Sequence, residues 1–159
     1  MWRDYNSRNR QRIIIVVIKN HLKGGNMKKV VGYMEGTNSD LLTSLIVEGY
    51  DTIPLSNGFD NHGKYVAHIM KTDNIGLVVG YLHKFLALSK ELRKVGDDNL
   101  SALKAYRIPT VFIVPQSKQE KAKKLLKGKG VSFQFADPGE ITKVVNGMLK
   151  SAKKGSKKK

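Results

Sequence analysis

Between Met27 and Lys150 the chain passes five times from a short apolar run to apolar residues at helical spacing. That alternation is the tightest constraint the sequence carries. Consecutive parallel strands cannot be joined by a tight turn, so each needs a crossover, and helical crossovers cover both faces of the sheet. Five such units predict an α/β fold, a three-layer α/β/α sandwich around a five-stranded parallel sheet in the order 2-1-3-4-5.

The punctuation places each unit. Lys29–Met34 reads as the first strand, Ser39 as the N-cap of a helix on Leu41, Leu42, Leu45 and Ile46, and Gly49 as its end. Asp51–Leu55 is the second strand, closed by Ser56-Asn57-Gly58, and Tyr65, Val66, Ile69 and Met70 predict the second helix. Ile75–Leu82 is almost continuously apolar, as a central strand should be. Phe85, Leu88, Leu92 and Val95 predict a third helix, interrupted by Gly96-Asp97-Asp98 before Leu100, Leu103 and Tyr106. Pro109 introduces the fourth strand, Thr110–Val114, and Ser117 caps a helix reaching about Lys127. Val131–Phe135 is the fifth strand, and Pro138-Gly139 leads into a last helix on Ile141, Val144, Val145 and Leu149.

The 159 residues suffice for one domain with a real core and not for two. The absence of cysteine excludes disulfides, thiolate metal sites and thiol nucleophiles. The longest apolar run, Ile13–Ile18, is too short to span a bilayer, so the expectation is a cytoplasmic protein with no membrane partner. Of the net charge of +16, residues 1–26 contribute +5 and residues 150–159 contribute +6. Two readings of residues 1–26 stand side by side. Lys23-Gly24-Gly25-Asn26 before Met27 would be spelled by a purine-rich ribosome-binding sequence, making 1–26 a translated leader; alternatively Ile13–Ile18 is an extra strand. The expected organisation is a non-native or disordered extension at 1–26, one domain at 27–150 and a disordered lysine tail at 151–159.

Gly49-Tyr50-Asp51-Thr52-Ile53, Asn57-Gly58 and Thr72-Asp73-Asn74-Ile75-Gly76-Leu77-Val78-Val79, in that order, resemble the second and third strands of response-regulator receiver domains. Arg107-Ile108-Pro109-Thr110-Val111-Phe112-Ile113 resembles the receiver's fourth strand, and Lys127-Gly128-Lys129-Gly130-Val131 with Asp137-Pro138 its fifth unit. The resemblance covers about residues 28–150 and implies a receiver, or flavodoxin-like, fold. Receiver chemistry is missing. Only Glu35 remains of the metal-binding acids, Gly80 or Tyr81 stands where the phosphate-accepting Asp would be, Val114 replaces the Ser/Thr, and Asp137 replaces the Lys. Aspartyl phosphorylation needs a carboxylate nucleophile, and metal bridging needs several oxygen ligands. The resemblance therefore implies a degenerate pseudo-receiver, with no catalytic residue, metal or cofactor assigned.

Ligands of open parallel sheets bind beyond the carboxyl ends of the strands, at the switch point. Glu35, Gly36, Thr37, Asn38 and Ser39 fall there after strand 1, Gly80, Tyr81 and His83 after strand 3, and Asn57, with Ser56, Asn61 and His62, after strand 2. Glu35–Ser39 offers an anion cradle at a helix start or a plain polar turn. It is neither a P-loop nor a dinucleotide fingerprint. His62 and His83 read as surface histidines more readily than as a base or a ligand. Lys118, Lys121 and Lys124 lie on a lysine-loaded helix, which the receiver resemblance implies is a partner surface and which otherwise is a solvated face. Three functions follow as expectations: a non-phosphorylatable regulatory domain acting through protein–protein interaction; a binder of a small anionic ligand or nucleotide at the strand 1/strand 3 edge; and a weak, nonspecific nucleic-acid binder through the lysine helix and tail.

Overall fold

The computed structural model describes residues 29–86 and 93–155, without the side chains of 93–96 and 153–155. The strand expected at Ile13–Ile18, the whole extension 1–26, Leu88, Leu92 and residues 156–159 lie outside the described residues. The strands are β1 (Val30–Met34), β2 (Asp51–Ser56), β3 (Lys64–Tyr65), β4 (Ile75–Tyr81), β5 (Thr110–Ile113) and β6 (Phe133–Ala136). The helices are α1 (Ser39–Val47), α2 (Leu82–Phe85), α3 (Arg93–Ala105), α4 (Gln119–Leu126) and α5 (Ile141–Gly155).

All pairings are parallel and the order is β3-β2-β1-β4-β5-β6. The α/β sandwich and the expected order of its five main strands are observed; the sixth strand is a correction. β3 adds two residues at the edge, pairing Lys64 with Leu55 and Tyr65 with Ser56. It arises where the second helix was expected. Val66 and Ile69 instead reach the core from the 3-10 turn Val66–His68 and the residue that ends it, at the three-residue spacing that such turns superimpose, and a second turn, Lys71–Asp73, leads into β4.

Each face of the sheet packs its own layer. Met34, Leu55, Val78 and Phe112 face α3 and α4, which deliver Leu100, Leu103, Ala122 and Leu126. Phe85 meets Phe112 edge to face at 5.0 Å, a favourable aromatic geometry. On the other side Val31, Leu77, Val79, Val111 and Ile113 pack against Leu41 and Leu45 of α1 and Ile141, Val145 and Leu149 of α5. Val78 and Val79, adjacent in β4 and pointing to opposite faces, are both fully buried.

Several boundaries differ from expectation. The N-cap of α1 is Asn38, not Ser39: its Oδ1 accepts the Asp40 N–H at 2.7 Å, leaving Ser39 exposed as the first helical residue. Gly96-Asp97-Asp98 does not interrupt a helix but lies within α3, because the apolar stripe of Leu100 and Leu103 continues onto the core. Ser117 caps nothing; it sits in the 3-10 turn Gln116–Lys118, and Gln119 Nε2 donates to the Val114 carbonyl at 3.1 Å. The last helix runs to Gly155, past the expected edge at 150. Gly49 ends α1 as predicted, with φ +84, a left-handed conformation glycine adopts without a Cβ penalty.

Candidate functional site

The crossovers leave β1 and β4 toward opposite faces, so their carboxyl ends form the switch point at which open parallel sheets bind ligands, bordered by the loop after β2. The loop after β1 is tied down first. Thr37 gives both its backbone N–H (3.2 Å) and its hydroxyl (2.7 Å) to the Met34 carbonyl, and Asn38 caps α1. Gly36 turns at φ +83 beside Tyr81, whose ring would lie 3.9 Å from a Cβ placed there. Tyr81 in turn lies 5.7 Å from the exposed ring of His83.

The loop after β2 is a self-supporting network. Ser56 Oγ donates to Asp60 Oδ1 at 2.7 Å and accepts the Gly58 N–H at 3.0 Å. Asn57 Oδ1 accepts the N–H of Phe59 (2.9 Å) and Asp60 (3.3 Å), an Asx-type turn. The His62 N–H also reaches Asp60 Oδ1, at 3.2 Å. His62 Nδ1 stands 3.1 Å from the Leu55 carbonyl. A carbonyl oxygen only accepts, so Nδ1 carries the proton and the neutral ring keeps its acceptor at Nε2. That ring meets Tyr33 edge to face at 5.4 Å.

Lys84, from α2, joins the two loops. Its Nζ lies 2.5 Å from Glu35 Oε2, and its charge also acts on Asp60. Burial pushes the Asp60 carboxyl up, but the Ser56 hydroxyl, the His62 amide, the Lys84 charge and the Asn57 backbone outweigh it and hold the group below its ordinary value. Asp60 Oδ2 is buried and has no hydrogen-bond partner. Glu35, from the loop after β1, and Lys84, from α2, are thus paired across the edge, and the Lys84 charge also reaches Asp60 in the loop after β2.

Of the expected residues, Glu35, Gly36, Tyr81 and His83 share this edge, and Asn57 organises its β2 side. Thr37, Asn38 and Ser39 hold or start α1. Gly80 is closed off: a Cβ there would sit 2.6 Å from Met34 Cβ and Cγ and 3.1 Å from Phe85 Cε2. It is buried backbone beneath the edge, and no side chain can project from it. Asp60 and Lys84 were not singled out from the sequence. The available signal was their position within a few residues of the ends of β2 and β4, in the loops already under suspicion. Asp137 is a loop clamp, its Oδ1 accepting the Gln116 N–H at 3.0 Å and its Oδ2 the Gly139 N–H at 3.1 Å.

Among the described residues no three His, Asp or Glu side chains come together in a way that could hold a metal ion. No helix among them is long and apolar enough to cross a membrane. A cleft of about 340 Å³, lined by Met70, Lys71, Asn74, Ile75, Tyr106 and Ile108, opens at the opposite, amino-terminal edge of the sheet. Its volume is that of a small-ligand pocket, and Lys71 is its only charged lining residue. Lys118, Lys121 and Lys124 are exposed on and beside α4, remote in sequence from both.

No family model and no curated protein matches the chain. Among solved structures, an imine reductase from Myxococcus stipitatus (a V8 variant in complex with NAD+) matches with a TM-score of 0.41 at 12% identity, over 72% of this chain. The chain spans 43% of that protein's length, less than half. A likeness at this level carries no inference about chemistry.

Proposed function

We propose that the domain binds a small polar ligand at the carboxyl edge of β1, β2 and β4. The observation that carries this reading is the convergence of Glu35, Asp60 and Lys84 at the switch point, with Asp60 Oδ2 buried and unpartnered. A carboxylate oxygen without a donor costs free energy that a ligand's N–H or O–H would recover once the loop after β2 opens to admit it. With two carboxylates to one lysine, and that lysine already held by Glu35, the charge balance favours a ligand that presents hydrogen-bond donors over an anion such as a nucleotide phosphate. His62 Nε2 and the Tyr81 hydroxyl supply further polar groups for orientation.

A thermal-shift titration against a panel of primary amines, polyols and nucleosides tests it. A ligand that binds only the native state raises the midpoint with concentration, and Asp60→Asn should abolish that rise. Panel members that stabilise Asp60→Asn as well as the native protein, or none that stabilise either, would remove the reading.

The flavodoxin-like order of the main strands favours a second reading, a receiver-like regulatory domain acting through protein contacts, in which Gly80 leaves no room for a phosphate-accepting carboxylate. The two are compatible, since a ligand that prefers one conformation can bias what a partner meets.

A further inference from the structure

The fourth crossover concentrates lysine, with five between positions 118 and 127. Among the other described lysines, Lys64 meets Asp73, Lys84 meets Glu35 and Lys129 meets Asp97, while Lys29, Lys71, Lys104, Lys143 and Lys150 stand singly. Lys118, Lys121, Lys123, Lys124 and Lys127, on and flanking α4, are all exposed, and among the described residues none is in an ion pair. They recur along roughly 14 Å of chain at helical rise. Ala122 and Leu126 anchor the inward face, both nearly fully buried. At about 100° per residue, Lys124 then lies on the outward ridge with Glu120 beside it. Lys123 and Lys127 occupy one flank and Lys118 and Lys121 the other.

We infer that α4 is a docking surface for the phosphate backbone of a nucleic-acid duplex, bound without reading its sequence. The shape selects this partner. A convex helix charged on both flanks matches a groove walled on both sides by phosphates, and the major groove of a duplex admits an α-helix. A flat anionic surface, whether a lipid headgroup layer or an acidic protein face, meets the ridge and one flank at most. Single strands are gripped by stacking bases on aromatic side chains, and α4 carries none. Duplex phosphates recur every 1.7 Å or so of axis, dense enough to meet several of the five lysines at once. This surface is separate from the carboxyl-edge site, and neither proposal rests on the other.

Fluorescence anisotropy of a labelled duplex of about 20 base pairs, titrated with the full chain at about 50 and about 200 mM salt, tests the inference. The native protein should bind, with affinity falling steeply as salt rises. Lys118→Gln/Lys121→Gln/Lys124→Gln should weaken binding roughly tenfold or more at the lower salt, and reduce the slope of log affinity on log salt by up to about three, one per phosphate contact. The triple Lys→Arg variant at the same positions keeps the charge and should bind as the native protein does. Neutralising Lys157, Lys158 and Lys159 instead should cost less than the α4 triple. The inference is overturned if the α4 triple binds as the native chain does, or if the tail triple accounts for the loss. Stronger, α4-dependent binding to phosphatidylserine vesicles or polyglutamate than to the duplex would also overturn it. Since the substituted side chains are exposed, an unchanged melting midpoint confirms that each variant is folded.

Discussion

Gly80 shows how tightly packing can constrain one position. Its Cα faces Met34 and Phe85 so closely that a methyl group would overlap both, and a carboxylate has no room at all. Gly80→Ala should therefore destabilise the fold by about 1–3 kcal/mol, the usual cost of overpacking a filled core, measurable by denaturant unfolding. For the same reason, incubation with acetyl phosphate and Mg²⁺ should leave the intact mass unchanged; a base-labile gain of one phosphoryl group would mean that another carboxylate serves as acceptor. Lys84 shows the opposite economy. One ammonium is paired with Glu35, and its charge adds to the Ser56 and His62 hydrogen bonds that favour the ionised form of Asp60.

Local chemistry decides where α1 begins and how the β2 loop is shaped. Asn38 satisfies one of the amides that every helix start leaves unpaired, and Asn57 does the equivalent for its turn. Asn38→Ala should lower stability by about 1 kcal/mol, read as a drop in the melting midpoint, while Ser39→Ala should change it little. Ser39 and Asn38 both belong to the preferred capping types, so residue preference could not choose between them. The choice is made by backbone geometry: the chain is extended at Asn38 because Thr37 is pinned to Met34. The β3 segment departs from its apolar spacing for a related reason. Tyr65, Val66, Ile69 and Met70 have helical spacing, but the free edge of β2 offers hydrogen bonds that a single short helical turn cannot match.

Across the molecule, two carboxylates tie the β2–β4 crossover together. Asp60 braces its first loop; Asp73 accepts the Lys64 ammonium at 2.5 Å and the Met70 N–H at 2.8 Å, fastening the edge strand to the turn before β4. Burial pushes Asp73 up, but the Lys64 hydrogen bond, the Met70 amide and the Lys64 charge prevail and hold it below its ordinary value. Both carboxyls are thus depressed in the folded protein. Their stabilisation is complete above the ordinary Asp value of 3.8 and is lost as pH falls below that value and through the folded ones. The melting midpoint should accordingly drop on acidification across that range, and the drop should be shallower in Asp73→Asn. A midpoint insensitive to pH there would mean that neither group is linked to folding.

The alternation of period-two and helical apolar patterns was legible because it is local. A strand buried on both faces must be apolar throughout, as Leu77–Val79 is, and each intervening amphipathic stretch can cover only one face. Handedness and crossover length then leave a handful of sheet orders, among them the one that the main strands adopt. The polar edge obeys no such period. Lys84 and Glu35 are 49 positions apart, and nothing in either neighbourhood marks the other. Asp60 became part of the site through a loop whose path depends on β2, β3 and Lys84 together. Helix α3 passes through Gly96-Asp97-Asp98 because Leu100 and Leu103 must reach the core, and packing an apolar stripe outweighs the weak helix preference of three residues. Periodicity along the chain determined the layers; contacts between distant loops, set only once those layers pack, decided where the charges meet.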